Sequence, residues 1–167
     1  MEPEVLFVER CIRLLKPGTG KCGIVLPDSI LSNPGYASIR YWIMQNCQIL
    51  ASVDLPVETF LPRTGTQTSV LILRRKNDQE KLIESMSGQM APYEIFMANV
   101  KKVGKDRRGN IIYKKDEKGR EIVDRSLYKP FSESTILDFL PTVETTGRIV
   151  DDELPKVAEM FLKQKHN

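Results

Sequence analysis

The sequence predicts a chain of mixed α/β class, and two observations carry that prediction. Apolar residues recur first at helical spacing and then in short unbroken runs rich in β-branched residues, and the two patterns alternate. In chain order they give helix, strand, helix, strand, strand, so the last two strands are expected to pair antiparallel within one sheet. The opening helix has no strand before it, which marks the series as the later part of a larger α/β unit.

Val5, Leu6, Val8, Ile12 and Leu15 set the first helix, with Glu4 near its start and Arg13 and Lys16 near its end, where the helix dipole favours each charge. Pro17-Gly18-Thr19-Gly20 stops it, because proline cannot continue a helix and glycine takes the left-handed turn that follows one. A strand and not a helix comes next, so this Gly-Thr-Gly is a terminator rather than a phosphate-binding turn. Cys22 to Leu26 is short, apolar and ended by Pro27, the pattern of a strand buried on both faces. Asp28 or Ser29 is placed to cap a short helical turn, and Asn33-Pro34-Gly35 breaks the chain.

A second helix is expected over Ala37 to Ile43, a second strand over Gln48 to Val53, a polar loop over Pro56 to Gln67 and a third strand over Thr68 to Leu73. Beyond Arg75 the pattern weakens. It gives a helix over Gln79 to Met86, another over Tyr93 to Val100, and an amphipathic helix over Asp151 to Gln164. Between Gly104 and Gly119, two Gly-centred turns flank Ile111-Ile112-Tyr113, as in a β-hairpin. Residues 132–146 are poorly patterned, and no internal repeat is expected. The chain divides into a core over 1–76 and a helical and hairpin extension over 77–167.

The composition, 41% apolar and 28% charged, is that of an ordinary globular protein. No apolar run approaches the ~20 residues that span a bilayer, and no basic-then-apolar leader opens the chain, so a cytoplasmic location without membrane contact is expected. Cys11, Cys22 and Cys47 lie at wide spacing in apolar contexts and read as small hydrophobes. With His166 as the one histidine, neither a metal cluster nor Ser–His or Cys–His chemistry is expected. Residues 101–129 hold eleven basic and five acidic side chains, a net charge of +6 in a chain whose total is +3. Such a segment suits a polyanion such as DNA, or else forms a solvated, charge-rich loop.

Three segments together resemble one family: LFVERCIRLLKPGTGKCGIVLPDSIL (Leu6 to Leu31), QILASVDLPVETFLPRTGTQTSVLILRR (Gln48 to Arg75) and YEIFMANVKKVGKDRRGN (Tyr93 to Asn110). They are similar to the modification subunit of type I restriction systems and to related N6-adenine DNA methyltransferases. The likeness runs from about Pro3 to Tyr113, and Asp151 to Lys163 is similar to that domain's usual ending. It implies the C-terminal half of a Rossmann-like methyltransferase sheet whose last strand is antiparallel. Leu6 to Leu26 would then supply its fourth helix and fifth strand, and the strands at Ile49 and Ser69 its last pair.

The resemblance also implies an activity, methyl transfer from S-adenosylmethionine to adenine in DNA, and partners, a specificity subunit and, for cleavage, a restriction subunit. In that family a Gly-rich turn cradles S-adenosylmethionine and an Asn-Pro-Pro-Phe or Asn-Pro-Pro-Tyr motif holds the target amino group. Neither occurs here. Asn33-Pro34-Gly35-Tyr36 lacks the second proline and follows the Leu-Pro-Asp strand instead of preceding the first helix. The expectation is therefore a fragment that is catalytically silent alone, with a complementing N-terminal half supplied in trans.

Enzymes that modify a base rotate it out of the duplex, and a ring commonly stacks on it. In the family the loop before the last strand supplies such a ring, and Phe60 matches it; the other reading is a Phe plugging the sheet edge. Arg63, Thr64, Gly65, Thr66, Gln67 and Thr68 follow with donors suited to phosphate or base, or simply cap the strand. Asp28 and Ser29, at the carboxyl end of a strand, would line the active-site floor. Lys105, Arg107 and Arg108 are candidates for the DNA backbone. Two rival functions stand beside this one: a non-catalytic DNA-binding or subunit-interaction module, and a methyltransferase relative with another substrate.

Overall fold

The first helix forms where the periodicity places it. In the computed structural model, which describes residues 3–124 and 147–164, α1 spans Pro3–Leu14 and buries Val5, Val8 and Ile12. The Arg75 guanidinium closes its end by donating to the carbonyls of Arg13 (2.8 Å) and Leu15 (2.7 Å), in the stretch where a helix leaves acceptors without partners. Gly18 has φ +81°, and a Cβ on Gly20 would lie 2.5 Å from the Lys16 backbone nitrogen. Only glycine fits both places, so Gly-Thr-Gly is the helix terminator that the sequence suggested.

Four strands follow: β1 (Lys21–Pro27), β2 (Cys47–Leu55), β3 (Thr68–Arg75) and β4 (Phe96–Asn99). Their order in the sheet is β1-β3-β2-β4. β3 is antiparallel to both neighbours and β4 is parallel to β2. β1, β2 and β4 therefore point the same way, and their carboxyl ends share one edge with the start of β3. Between β1 and β2 lie α2 (Asp28–Ser32), a 3-10 turn at Pro34–Tyr36 and α3 (Ala37–Asn46). After β3 comes α4 (Asp78–Ser87), entered through a capping box of Asn77 and Glu80 and left through Gly88 in the left-handed region. The last described helix, α5, is Leu154–Gln164.

Each face of the sheet carries its own core. On one, Leu26, Leu71 and Leu73 meet Val8, Ile12, Ile30 and Ile43 from the helices. On the other, Val53, Leu55 and Val100 pack with Val70, Phe96, Val103 and the α5 residues Leu154 and Val157. The α/β class, the antiparallel pairing of the second and third strands and the irregular extension thus match expectation.

Three expectations give way. The first strand is not buried on both faces: among the described strands it sits at an edge, and while Leu26 is 2% exposed, Val25 is 47% exposed. The alternation arises because only the helix-bearing face of β1 is covered. Tyr93 to Val100 is no helix. Phe96, Ala98 and Val100 pack against the sheet, while Met97 between them is exposed, a period of two set by pairing with the open edge of β2. Neither Asp28 nor Ser29 caps α2, whose N-cap is Pro27 without a side-chain bond. The poorly patterned 132–146 and His166 lie outside the described residues.

Candidate nucleic-acid interface

Every candidate lies on a segment that leaves or enters the carboxyl edge of β1, β2 and β4. Open α/β sheets bind ligands at that edge. Asp28 and Ser29 leave β1, the loop 56–67 joins β2 to β3, and the basic segment follows β4. Asp28 is committed to structure: its carboxylate accepts from the Ser69 hydroxyl at 2.7 Å and its N–H donates to the Gln67 carbonyl at 3.0 Å. Asn33, of the superficial Asn-Pro-Gly-Tyr motif, caps the 3-10 turn by accepting from the Gly35 N–H at 2.8 Å.

The 56–67 loop opens with a 3-10 turn (Val57–Thr59) that presents Phe60 on the surface. Phe60 is 37% exposed and belongs to neither core cluster. Its carbonyl accepts from the N–H groups of Arg63 (3.0 Å) and Thr64 (3.2 Å), so a compact turn holds the backbone that carries the ring. Arg63 is exposed and, among the described residues, without a carboxylate partner. Thr64 and Thr66 share a hydroxyl contact of 3.0 Å, and the Gln67 amide reaches Asp54 at 3.4 Å. Thr68 differs from these: it is 8% exposed, and its buried hydroxyl has no partner.

The structure adds a link that the sequence does not show. Arg107 Nε approaches Glu58 Oε1 at 3.3 Å, across 49 positions of chain. Gly109 (φ +87°) faces Pro62, and a Cβ there would come within 3.2 Å of Pro62 Cδ. The basic turn and the Phe60 loop are therefore one surface. A cleft of about 350 Å³ lies between them, lined by Glu58, Lys101, Lys105 and Arg107 among others. Lys105 and Arg108 are exposed and have no carboxylate partner among the described residues.

The same segment holds a repeat that the sequence reading overlooked. Lys105-Asp106-Arg107-Arg108-Gly109-Asn110 and Lys115-Asp116-Glu117-Lys118-Gly119-Arg120 are ten residues apart and fold alike. In each, the aspartate Oδ1 accepts from the N–H groups two and four residues on, at 2.8–2.9 Å. Each glycine takes a positive φ, +87° in the first turn and +78° in the second. Both carboxyls lie below the ordinary range, Asp106 chiefly through the Asn110 side-chain amide and Asp116 chiefly through the Arg120 N–H. Residues 147–152 bridge to Val123, Tyr113 and Val103 and turn the expected hairpin into a small meander.

Two other features bear on chemistry. Among the described residues no group of His, Cys, Asp and Glu is placed to hold a metal, and no helix is long and apolar enough to cross a membrane. Cys47 is buried, and burial pushes its thiol up to about 11, out of reach of nucleophilic use.

Residues 2–127 match the family described as N-6 DNA Methylase. The chain belongs to that family. Two solved structures are also similar to this chain. A Listeria monocytogenes protein assigned to the class I S-adenosylmethionine-dependent methyltransferases is 27% identical, with a TM-score of 0.43 over 57% of this chain and 26% of that one. A chain from a type I restriction-modification complex is 22% identical, with a TM-score of 0.46 over 59% of this chain and 18% of that one. The chain thus spans about a quarter of the first and under a fifth of the second. Among curated proteins, none matches it significantly.

The donor that the family implies does not fit the described residues. The strand-to-helix turn at Pro27-Asp28 contains no glycine, so it has no open backbone to cradle the methionine end. Gly20 is closed off by Lys16. Asp28 and Asp54, the carboxylates at the ends of β1 and β2, already accept from Ser69 and Gln67.

Proposed function

We propose that this chain is the DNA-facing, C-terminal part of an adenine-N6 DNA methyltransferase domain of the type I modification-subunit kind. It receives the extruded adenine on Phe60 and the adjoining backbone on its basic turn. The observation that carries this reading is the tie between the two, Glu58 to Arg107 and Pro62 to Gly109, which brings the Phe60 loop beside the turn that bears the exposed Lys105 and Arg108. Arg63, Thr64, Thr66 and Gln67 contact the nucleotide around the base, Lys105, Arg107 and Arg108 its phosphates, and Asp28 and Ser29 form the floor beneath. Thr68 supports the loop from below.

In this reading, S-adenosylmethionine and the Asn-Pro-Pro-Phe/Tyr motif come from the preceding half of the domain, which joins the free edge of β1, and this chain alone transfers no methyl group. The complete enzyme methylates adenine in DNA together with a specificity subunit and, for cleavage, a restriction subunit. The order β1-β3-β2, with β3 antiparallel between two strands that run together, supports this placement as the end of a methyltransferase sheet.

The test uses a duplex carrying 2-aminopurine opposite an abasic site, so that little unpairing energy opposes extrusion. Stacking on one ring is worth ~1–3 kcal/mol, so Phe60→Ala should weaken binding by about 5- to 150-fold, while Phe60→Trp keeps it. Equal affinities for the native chain and Phe60→Ala, measured by 2-aminopurine fluorescence, would remove Phe60 from the site.

A further inference from the structure

The repeat gives the chain two turns of one design, of which only the first touches the Phe60 loop. Each engages its single aspartate in its own backbone bonds and leaves its lysines outward. Of the second turn's cations, Arg120 pairs with Asp116 at 3.1 Å. Lys114, Lys115 and Lys118 are exposed, and none has a carboxylate partner among the described residues. The acids nearby are already engaged: Glu121 pairs with Arg148 at 3.1 Å, and Asp116 is held by its turn. Glu117 is the one acid of the second turn without a hydrogen bond or ion pair among the described residues, against three lysines in the same condition.

Neither turn needs these lysines in order to fold, because their side chains make no hydrogen bond within the described structure. A purely structural turn of this kind needs its aspartate and its glycine; it does not need three unpaired lysines held on a short, well-bonded scaffold. Lys114 also lines a cavity of about 1190 Å³ between the first turn and α5, with Lys105 and Lys156 on the same lining. The two turns are therefore joined by cations as well as by the chain.

We infer that the second turn is a separate contact for the DNA phosphate backbone, in which Lys114, Lys115 and Lys118 bind phosphates beyond those reached by the first turn. The inference rests on the DNA-facing reading given above and extends the footprint away from the flipped base. Phosphate contacts carry no sequence information, so the second turn would hold the duplex in register and leave the choice of site to other groups.

Fluorescence anisotropy of the full chain with a 20-base-pair duplex of arbitrary sequence, over a series of salt concentrations, tests it. Each phosphate neutralised adds ~0.9 to the slope of log affinity against log salt. Replacing Lys114, Lys115 and Lys118 together by alanine should lower that slope by about 2–3 and weaken binding at least about tenfold at low salt. Arg10→Ala, Lys16→Ala and Lys21→Ala together remove the same charge elsewhere and should leave the slope unchanged. Circular dichroism and thermal melting establish that both variants fold, and Lys→Arg at the three positions should restore the slope. An unchanged slope, or an equal loss in the control, overturns the inference while first-turn variants still show whether the DNA-facing reading holds. A native chain that binds no duplex at low salt overturns both.

Discussion

Lys76 is 3% exposed, and its partners show how such a side chain is tolerated in the interior. Its ammonium donates to both carboxylate oxygens of Glu84, at 2.6 and 2.8 Å, and to the Met44 carbonyl at 2.8 Å, so it ties α4 to the end of α3. Removing one partner of a buried pair costs about 3–5 kcal/mol, because the other is left uncompensated. Glu84→Ala should therefore lower stability in urea by roughly that amount, and Lys76→Met with Glu84→Leu should recover most of it. A small loss in the single variant would mean that water reaches the ammonium. At this scale the sequence is partly legible. Phe60 stands out as an aromatic in a polar loop, and Gly18 and Gly20 declare a helix end. Glu58, Pro62 and the burial of Lys76 do not show, since their partners are distant in sequence or carry no local pattern.

Among the elements, those with a strong period are legible and those set by neighbours are not. α1, β2, β3 and α4 lie where apolar spacing and caps put them. β4 does not, because the exposed Met97 hides the alternation of Phe96, Ala98 and Val100 and because its pairing depends on the free edge of β2. The tandem turns were visible as two Gly-centred breaks, but the shared role of Asp106 and Asp116 appears only in the hydrogen bonds. Those bonds make the turns acid-sensitive. A carboxyl held below its ordinary range contributes stability above its unfolded value, near 4, and loses it as pH falls through the lower folded value. Glu80, lowered chiefly by its hydrogen bond to Arg74, behaves alike at the α4 cap. Thermal melting should thus be nearly flat from pH 7 to about 5 and fall below about 4. Asp106→Asn with Asp116→Asn should flatten the fall; an unchanged acid slope would mean that these turns do not couple to folding.

On the scale of the molecule, the described sheet is covered unevenly. α5 and the segment after β4 cover the face beside β2, while β1 lies at an edge among the described strands and exposes Val25. This asymmetry was foreshadowed by a first helix with no strand before it, but the exposure of β1 was not, since a continuous apolar run reads the same whether its cover is present or absent. The carboxyl edge, by contrast, collects the Phe60 loop and the first basic turn. On the reading proposed above, this chain carries the DNA side of a methyltransferase domain and the preceding half carries the donor side.

The most direct test of that division is a calorimetric titration of the folded 167-residue chain with S-adenosylmethionine. No saturable heat is the predicted result. Saturable binding would mean that a donor pocket forms without a Gly-rich turn, and would contradict the claim that this chain holds only the DNA-facing part of the domain.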